Sequence, residues 1–176
     1  MIFKEPKDLH NHTKSMYFTK NARSAFLHIL RRLRDDGYSL LLPSYIGMNN
    51  YEGSGVFDVV RTSRIEFEFC PVDLKLSPEI NHLEKIKGKK ALMIIHYFGF
   101  PPNNFEQLLE LAAMKSWLTI EDCAHTITSK YKGKLLGTIG DFAFHSIHKL
   151  LPTSDGGILR VNNSNYSFDI HPIEEG

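Results

Sequence analysis

Apolar residues recur along this chain with two periods, and the periods alternate. From Ser24 the pattern is helical: Phe26, Ile29, Leu30 and Leu33 fall at i, i+3, i+4 and i+7, and Gly37 supplies a stop. Residues 39–43 (SLLLP) read as a short buried strand ended by Pro43. Residues 65–73 (IEFEFCPVD) alternate apolar and acidic, the mark of a half-buried strand. Residues 91–99 (ALMIIHYFG) form a continuous apolar run with a glycine end, as in a central parallel strand. A helix follows, with Asn103 as its cap, Glu106 three residues on, and Phe105, Leu108, Leu109 and Ala112 on one face. Residues 117–121 (WLTIE) form the next strand. Residues 131–137 read as a turn-containing connection, and residues 141–147 and 156–161 as two more short strands. Residues 1–20 are polar and read as irregular.

Strands alternating with helices predict βαβ units and an α/β fold, a mainly parallel sheet with helices on both faces. In such sheets ligands bind at the carboxyl ends of the strands. Four predicted strand ends carry polar or aromatic groups: Pro43 to Tyr45, His96 to Gly99, Asp122 with His125, and Ser146 with Lys149.

Composition narrows the class without naming a chemistry. The 176 residues suit one domain with a proper core, and 42% hydrophobic against 23% charged residues is ordinary for a globular chain. A formal net charge of +1 offers no field for nucleic acid. Two distant cysteines, Cys70 and Cys123, suggest neither a disulfide framework nor a CxxC site, and the default setting is the reducing cytoplasm. No apolar run is long enough to span a bilayer, and the N-terminus lacks a signal-peptide pattern, so no membrane partner is expected.

A partly desolvated lysine at a strand end can act as a nucleophilic amine, most often toward a carbonyl. Pyridoxal phosphate is one such carbonyl. It needs an acid at its pyridine nitrogen, and phosphate donors near a helix start. Lys149, Asp122, Ser146 and the segment from Ala22 to Ser24, with Arg23 in it, could supply these. On spacing alone, a solvated loop acid and a surface lysine account for the same residues. Three other motifs carry less. Ser146 to Lys149 matches the S-x-x-K of serine acylases but follows a strand and lacks their partner motifs. His10 with His12, or His145 with His148, lacks a third ligand at zinc spacing. The mixed run 31–36 and the basic run 85–90 read as solvated surface.

The stretch IEDCAHTITSKYKGKLLGTIGDFAFHSIHKLLPTSDGG resembles the core of the DegT/StrS-type sugar aminotransferases, within the fold-type I enzymes that use pyridoxal phosphate. The ordered matches are Glu121-Asp122-Cys123-Ala124-His125, Tyr131, Gly133, Gly137, Gly140-Asp141, Ser146, Lys149 and Gly156-Gly157. Upstream, NARSAFLHIL is similar to the phosphate-binding helix start, LLLPSY to the strand and loop after it, and IHYFGFP to the H-x-x-G-x-P segment. The resemblance runs from about residue 19 to 161. It implies the large, cofactor-binding domain of these enzymes over residues 19–165, with an N-terminal segment 1–18 and a tail 166–176.

The resemblance also implies roles. Asp122 pairs with the pyridine nitrogen, and His125, where many members have glutamine, bonds the ring's 3-oxygen. Ser146 holds phosphate with the helix start at Ala22 and Arg23. Lys149 forms the Schiff base and shuttles the proton. Tyr45 lies near the position that covers the ring face, although Gly47 can occupy that position instead. The implied reaction moves an amino group from glutamate to a keto group of a nucleotide-linked sugar, by a homodimer, in cell-surface polysaccharide or secondary-metabolite sugar synthesis. A related dehydratase would carry histidine in place of Lys149. Glu121 is read as a strand-end residue or a structural hydrogen-bond acceptor.

The chain departs from the family in three places. Ala22 stands where glycine is usual, the Ser-x-x-Lys spacing is tight, and by strand count the small C-terminal domain is missing. The expectation is therefore either an aminotransferase or a truncated, split or reduced relative that keeps the fold and at most binds pyridoxal phosphate or nucleotide-sugar without catalysis.

Overall fold

The computed structural model describes residues 16–46 and 55–170, so Gly47, His10 and His12 lie outside the described residues. The elements run β1 (Met16–Thr19), α1 (Ala22–Asp35), β2 (Ser39–Pro43), α2 (Phe57–Ser63), β3 (Phe67–Cys70), α3 (Ile80–Leu83) and β4 (Lys90–Ile95). After β4 come a 3-10 turn (Tyr97–Gly99), α4 (Phe105–Met114), β5 (Leu118–Cys123), the small hairpin β6 (Lys130–Tyr131) and β7 (Lys134–Leu135), β8 (Phe142–Ser146) and β9 (Gly157–Val161).

Seven strands form one sheet in the order β1-β9-β8-β5-β4-β2-β3. The ladders from β3 through β2, β4 and β5 to β8 are all parallel, while β9 runs antiparallel to both β8 and β1. Helices cover both faces, as the periodicity predicts. On one face α1 and α2 bury Phe26, Ile29, Leu30, Leu33, Val59 and Val60 against Met93, Ile120, Phe142 and Phe144. On the other, α4 lays Phe105, Leu108 and Ala112 over Leu92, Ile94 and Ala143. β4 and β5 are sandwiched between these layers, which is why β4 reads as a continuous apolar run and all six residues of β5 are buried, its two acids included.

Four local expectations are corrected. The N-terminal segment read as irregular contains β1, which gains its ladder from β9 rather than from any strong pattern of its own. β3 is a short edge strand, and its Phe67 and Phe69 remain partly exposed, packed on Phe57 of α2 rather than sunk into a core. α4 begins after Asn104, not Asn103, and without a side-chain cap, because the Asn104 amide donates to the Pro78 carbonyl at 2.7 Å. Within the segment read as a tail, Tyr166 and Phe168 pack edge-on against Phe142, with ring centroids 5.0 and 6.1 Å away.

Candidate active site

The first helix begins where the sheet lets it approach. Asn21 caps α1, its side-chain oxygen accepting the Ser24 N–H at 3.0 Å. The first-turn donors at Ala22 and Arg23 have no acceptor within the helix and stand at its open end. Gly157 allows this closeness: a Cβ there would lie 2.2 Å from the Asn21 carbonyl carbon. Ser146 pairs with Gly157 across the β8–β9 ladder, so the helix start and the buried Ser146 share one corner.

That corner opens into a cleft of about 640 Å³ at the carboxyl ends of β2, β4, β5 and β8. All seven residues singled out from the sequence line it: Ala22, Arg23, Tyr45, Asp122, His125, Ser146 and Lys149. Arg23, Tyr45, His125 and Lys149 are exposed at its rim, whereas Asp122 and Ser146 are buried in its walls.

Asp122 is not a loop residue after β5; it lies inside the strand, in register with Phe144. Its Oδ1 accepts the Ala124 N–H at 2.9 Å, and among the described residues no cation pairs with it. Burial pushes its carboxyl up to about 6, against the opposing pull of that N–H and of the Lys149 and His96 charges. Lys149 lies in the turn after β8 and is exposed, so the partial desolvation expected from its strand-end position is not what the free chain shows. Its Nζ donates to Nε2 of His125 at 3.3 Å. Burial, and then the Lys149 charge, lower the His125 imidazole, which keeps it a neutral acceptor for that bond. The His125 ring stacks on Phe98, 6.3 Å between centroids. Tyr45 stands edge-on to Tyr97, whose hydroxyl donates to the Tyr45 carbonyl.

Other titratable groups sort by face. Ser146 Oγ lies 3.3 Å from His148 Nδ1, and that same nitrogen lies 3.8 Å from Asp155. One ring nitrogen facing both partners cannot relay a proton between them, so this is no serine triad. His145 is buried on the opposite face, its Nδ1 donating to the Thr126 carbonyl at 2.9 Å, so it does not converge with His148 as a metal pair. The sequence reading placed His96 at a strand end and in the H-x-x-G-x-P segment but gave it no role. It sits fully buried after β4, its Nε2 donating to Glu121 at 2.8 Å.

The residues present fit pyridoxal phosphate on one physical ground above all. A buried carboxyl raised to about 6, with no cation paired to it among the described residues, is the acid a protonated ring nitrogen would satisfy. The open start of α1 beside Ser146 is a ready phosphate seat.

Comparison with known proteins points the same way. The chain is 42% identical over 83 residues to a GDP-perosamine synthase of Escherichia coli O157:H7, covering 46% of this chain and 22% of that protein. Its fold matches Helicobacter pylori PseC, an aminotransferase involved in the biosynthesis of pseudoaminic acid, at a TM-score of 0.68 and 19% identity, over 85% of this chain and 40% of that one. It matches a DegT DnrJ EryC1 StrS aminotransferase from Brucella abortus at the same TM-score, over 89% of this chain and 44% of that one. The chain thus spans about a fifth of that curated relative and about two fifths of those solved chains. Residues 67–172, more than half of the chain, match the family model directly, and the chain belongs to the DegT/DnrJ/EryC1/StrS aminotransferase family.

Proposed function

We propose that the cleft binds pyridoxal phosphate and that the chain serves the transamination of a nucleotide-linked keto-sugar, with glutamate as amino donor. When bound, the cofactor supplies the electron sink through which an amino group is moved. The chain's residues do the rest. Lys149 Nζ is the nucleophilic amine and the proton carrier, drawn from the rim into the cleft. Asp122 holds negative charge under the pyridine nitrogen. His125 bonds the ring's 3-oxygen. Ser146, with the N–H groups at Ala22 and Arg23, receives the phosphate, and Tyr45 stands at the mouth. The observation that carries this reading is Asp122: a buried acid without a cationic partner among the described residues, in the cleft whose rim holds the lysine. Relatives named GDP-perosamine synthase support the substrate class. A cytoplasmic homodimer, in synthesis of a surface polysaccharide or secondary-metabolite sugar, completes the proposal; among the described residues no helix is long and apolar enough to cross a membrane.

The test is optical. Adding pyridoxal phosphate to the purified chain should give a visible band red-shifted from the free cofactor, and Lys149→Ala should abolish it while far-UV circular dichroism is unchanged. No band at saturating cofactor would overturn the reading. A second reading, a non-catalytic relative that only binds the cofactor, is favoured by the exposure of Lys149. It predicts the band but no spectral response to glutamate, whereas an aminotransferase bleaches it.

A further inference from the structure

Strand alternation sends the two adjacent carboxylates to opposite faces of the sheet. Asp122 faces the cleft beside Phe26 and Phe144, and Glu121 faces the α4 layer. We propose that Glu121 and His96 form a buried strut on that far face, and that both are positioning residues for Asp122 and the cleft wall beside it. What Asp122 is positioned for rests on the functional reading above; the strut is read from geometry alone.

Glu121 has no exposed surface, yet its carboxylate is fully occupied. Oε1 accepts N–H groups from Ile139 at 2.9 Å and Gly140 at 2.7 Å. Oε2 accepts the Gly137 N–H at 2.8 Å and His96 Nε2–H at 2.8 Å. Burial by itself would raise this carboxyl; the His96 bond and the Gly140 and Gly137 N–H groups outweigh it and hold it below the ordinary value. The donors come from two sides of β5: the loop entering β8, and the residue after β4.

His96 carries the effect to the cleft. Its own N–H donates to the Asp122 carbonyl at 3.1 Å, so the residue that grips Glu121 by its ring grips Asp122 by its backbone. Its carbonyl accepts the Gly99 N–H at 3.0 Å and so closes the turn bearing Tyr97 and Phe98. Phe98 stacks on His125, which accepts from Lys149. One buried carboxylate therefore braces the acid's strand and the turn that lines the cleft beside it.

Cys123 Sγ lies with His96 and Glu121 within 4.8 Å, the spacing of a metal trio. The donor set argues against an ion. Each Glu121 oxygen already accepts two N–H groups, and burial, followed by the Glu121 and Asp122 charges, raises the Cys123 thiol well above its ordinary value.

The experiment is amide hydrogen exchange on the full chain without cofactor. Glu121→Gln keeps the shape. In either amide orientation, however, its NH2 end faces two N–H donors. The Ala124 N–H bonds Asp122, not Glu121, so it reports on the acid's placement. Exchange at Ala124 and His96 should quicken by about tenfold, the scale of one buried hydrogen bond. Asp141→Asn is the control, because Asp141 accepts from Thr119 at the opposite end of β5. It should leave both amides unchanged. With pyridoxal phosphate added, affinity should fall about tenfold in Glu121→Gln and not in Asp141→Asn. Should Glu121→Gln not fold, His96→Leu removes the ring bond, together with the edge-on contact to Phe105, while leaving the other three donors on Glu121, and should quicken the Ala124 amide. Faster exchange at Gly137, Ile139 and Gly140 with Ala124 unmoved would overturn the proposal, as would one equivalent of bound metal that Glu121→Gln abolishes. A wild-type chain that takes no cofactor would instead sink the functional reading, and the exchange result would still decide this one.

Discussion

Glu121 and Asp122 are neighbours in sequence, both buried, and shifted in opposite directions. The difference is the number of N–H groups each receives. Glu121 accepts four, and its charge is welcome; Asp122 accepts one, and its charge is not. This has a pH consequence. Asp122 titrates at about 6 in the folded chain against 3.8 as a free group, so across that window the folded chain holds the extra proton. Stability of the cofactor-free chain should therefore fall as pH rises through the window, by about 3 kcal/mol in all, and the cost is complete above it. Glu121 has the opposite sign, giving stability that is lost as pH falls through its lowered value. Asp122→Asn removes only the first effect, since an amide oxygen can still accept from Ala124. At about pH 7.5 the variant should melt about 6–12 °C higher than wild type without cofactor, and the gap should close near pH ~4. It should also lose cofactor binding. Thermal melts at the two pH values check this, and a gap that does not change with pH would show that Asp122 bears no such burden. The sequence exposed these residues unequally. Lys149, Asp122, Ser146 and His125 stand in motifs with fixed spacing and were legible. The strut was not, because the tie between Glu121 and His96 crosses from β5 to β4 over 25 residues, and no local pattern encodes it.

Legibility among the elements follows how much of each element's pattern is its own. α1, β2 and β4 carry complete signals: a helical apolar stripe, or an apolar run bounded by glycine or proline. β1 and β3 borrow their structure. β1 exists because β9 pairs with it, and β3 is an edge strand whose phenylalanines serve α2. The β9–α1 junction shows how closely one element can depend on another. Gly157 has backbone of Asn21 and Ala22 where a Cβ would stand, at 2.2 to 2.6 Å, and backbone cannot swing aside as a side-chain tip can. Gly157→Ala should push the start of α1 off β9, costing about 2 kcal/mol and lowering Tm by about 4–8 °C. Phosphate affinity should weaken with it, because the displaced segment bears the Ala22 and Arg23 N–H groups. Calorimetry together with a cofactor titration tests both effects. An unchanged Tm would mean that the junction is loose and that the helix start is placed by something other than β9.

At the scale of the whole molecule, the cleft mouth is more apolar than a finished surface calls for. Tyr45 is 55% exposed and Phe98 73%, and Phe100, Leu150 and Leu151 flank the same turns with large exposed side chains. Apolar groups gathered at the rim of a polar cleft usually mark a surface that something covers. A second copy of the chain is the cover the proposed homodimer supplies, and it would also shield Lys149, whose exposure is otherwise unfavourable for a nucleophilic amine. Light scattering on the eluting protein should then give a mass twice the 20.2 kDa of one chain. Phe98→Ser with Leu151→Ser should return it to 20.2 kDa, with unchanged circular dichroism and weaker cofactor retention. Neither residue contributes to the buried core, so loss of assembly without loss of fold separates an interface from a packing defect. A wild-type chain that stays monomeric at every concentration would assign the rim to another cover and would leave the exposed lysine to be drawn into the cleft by the cofactor alone.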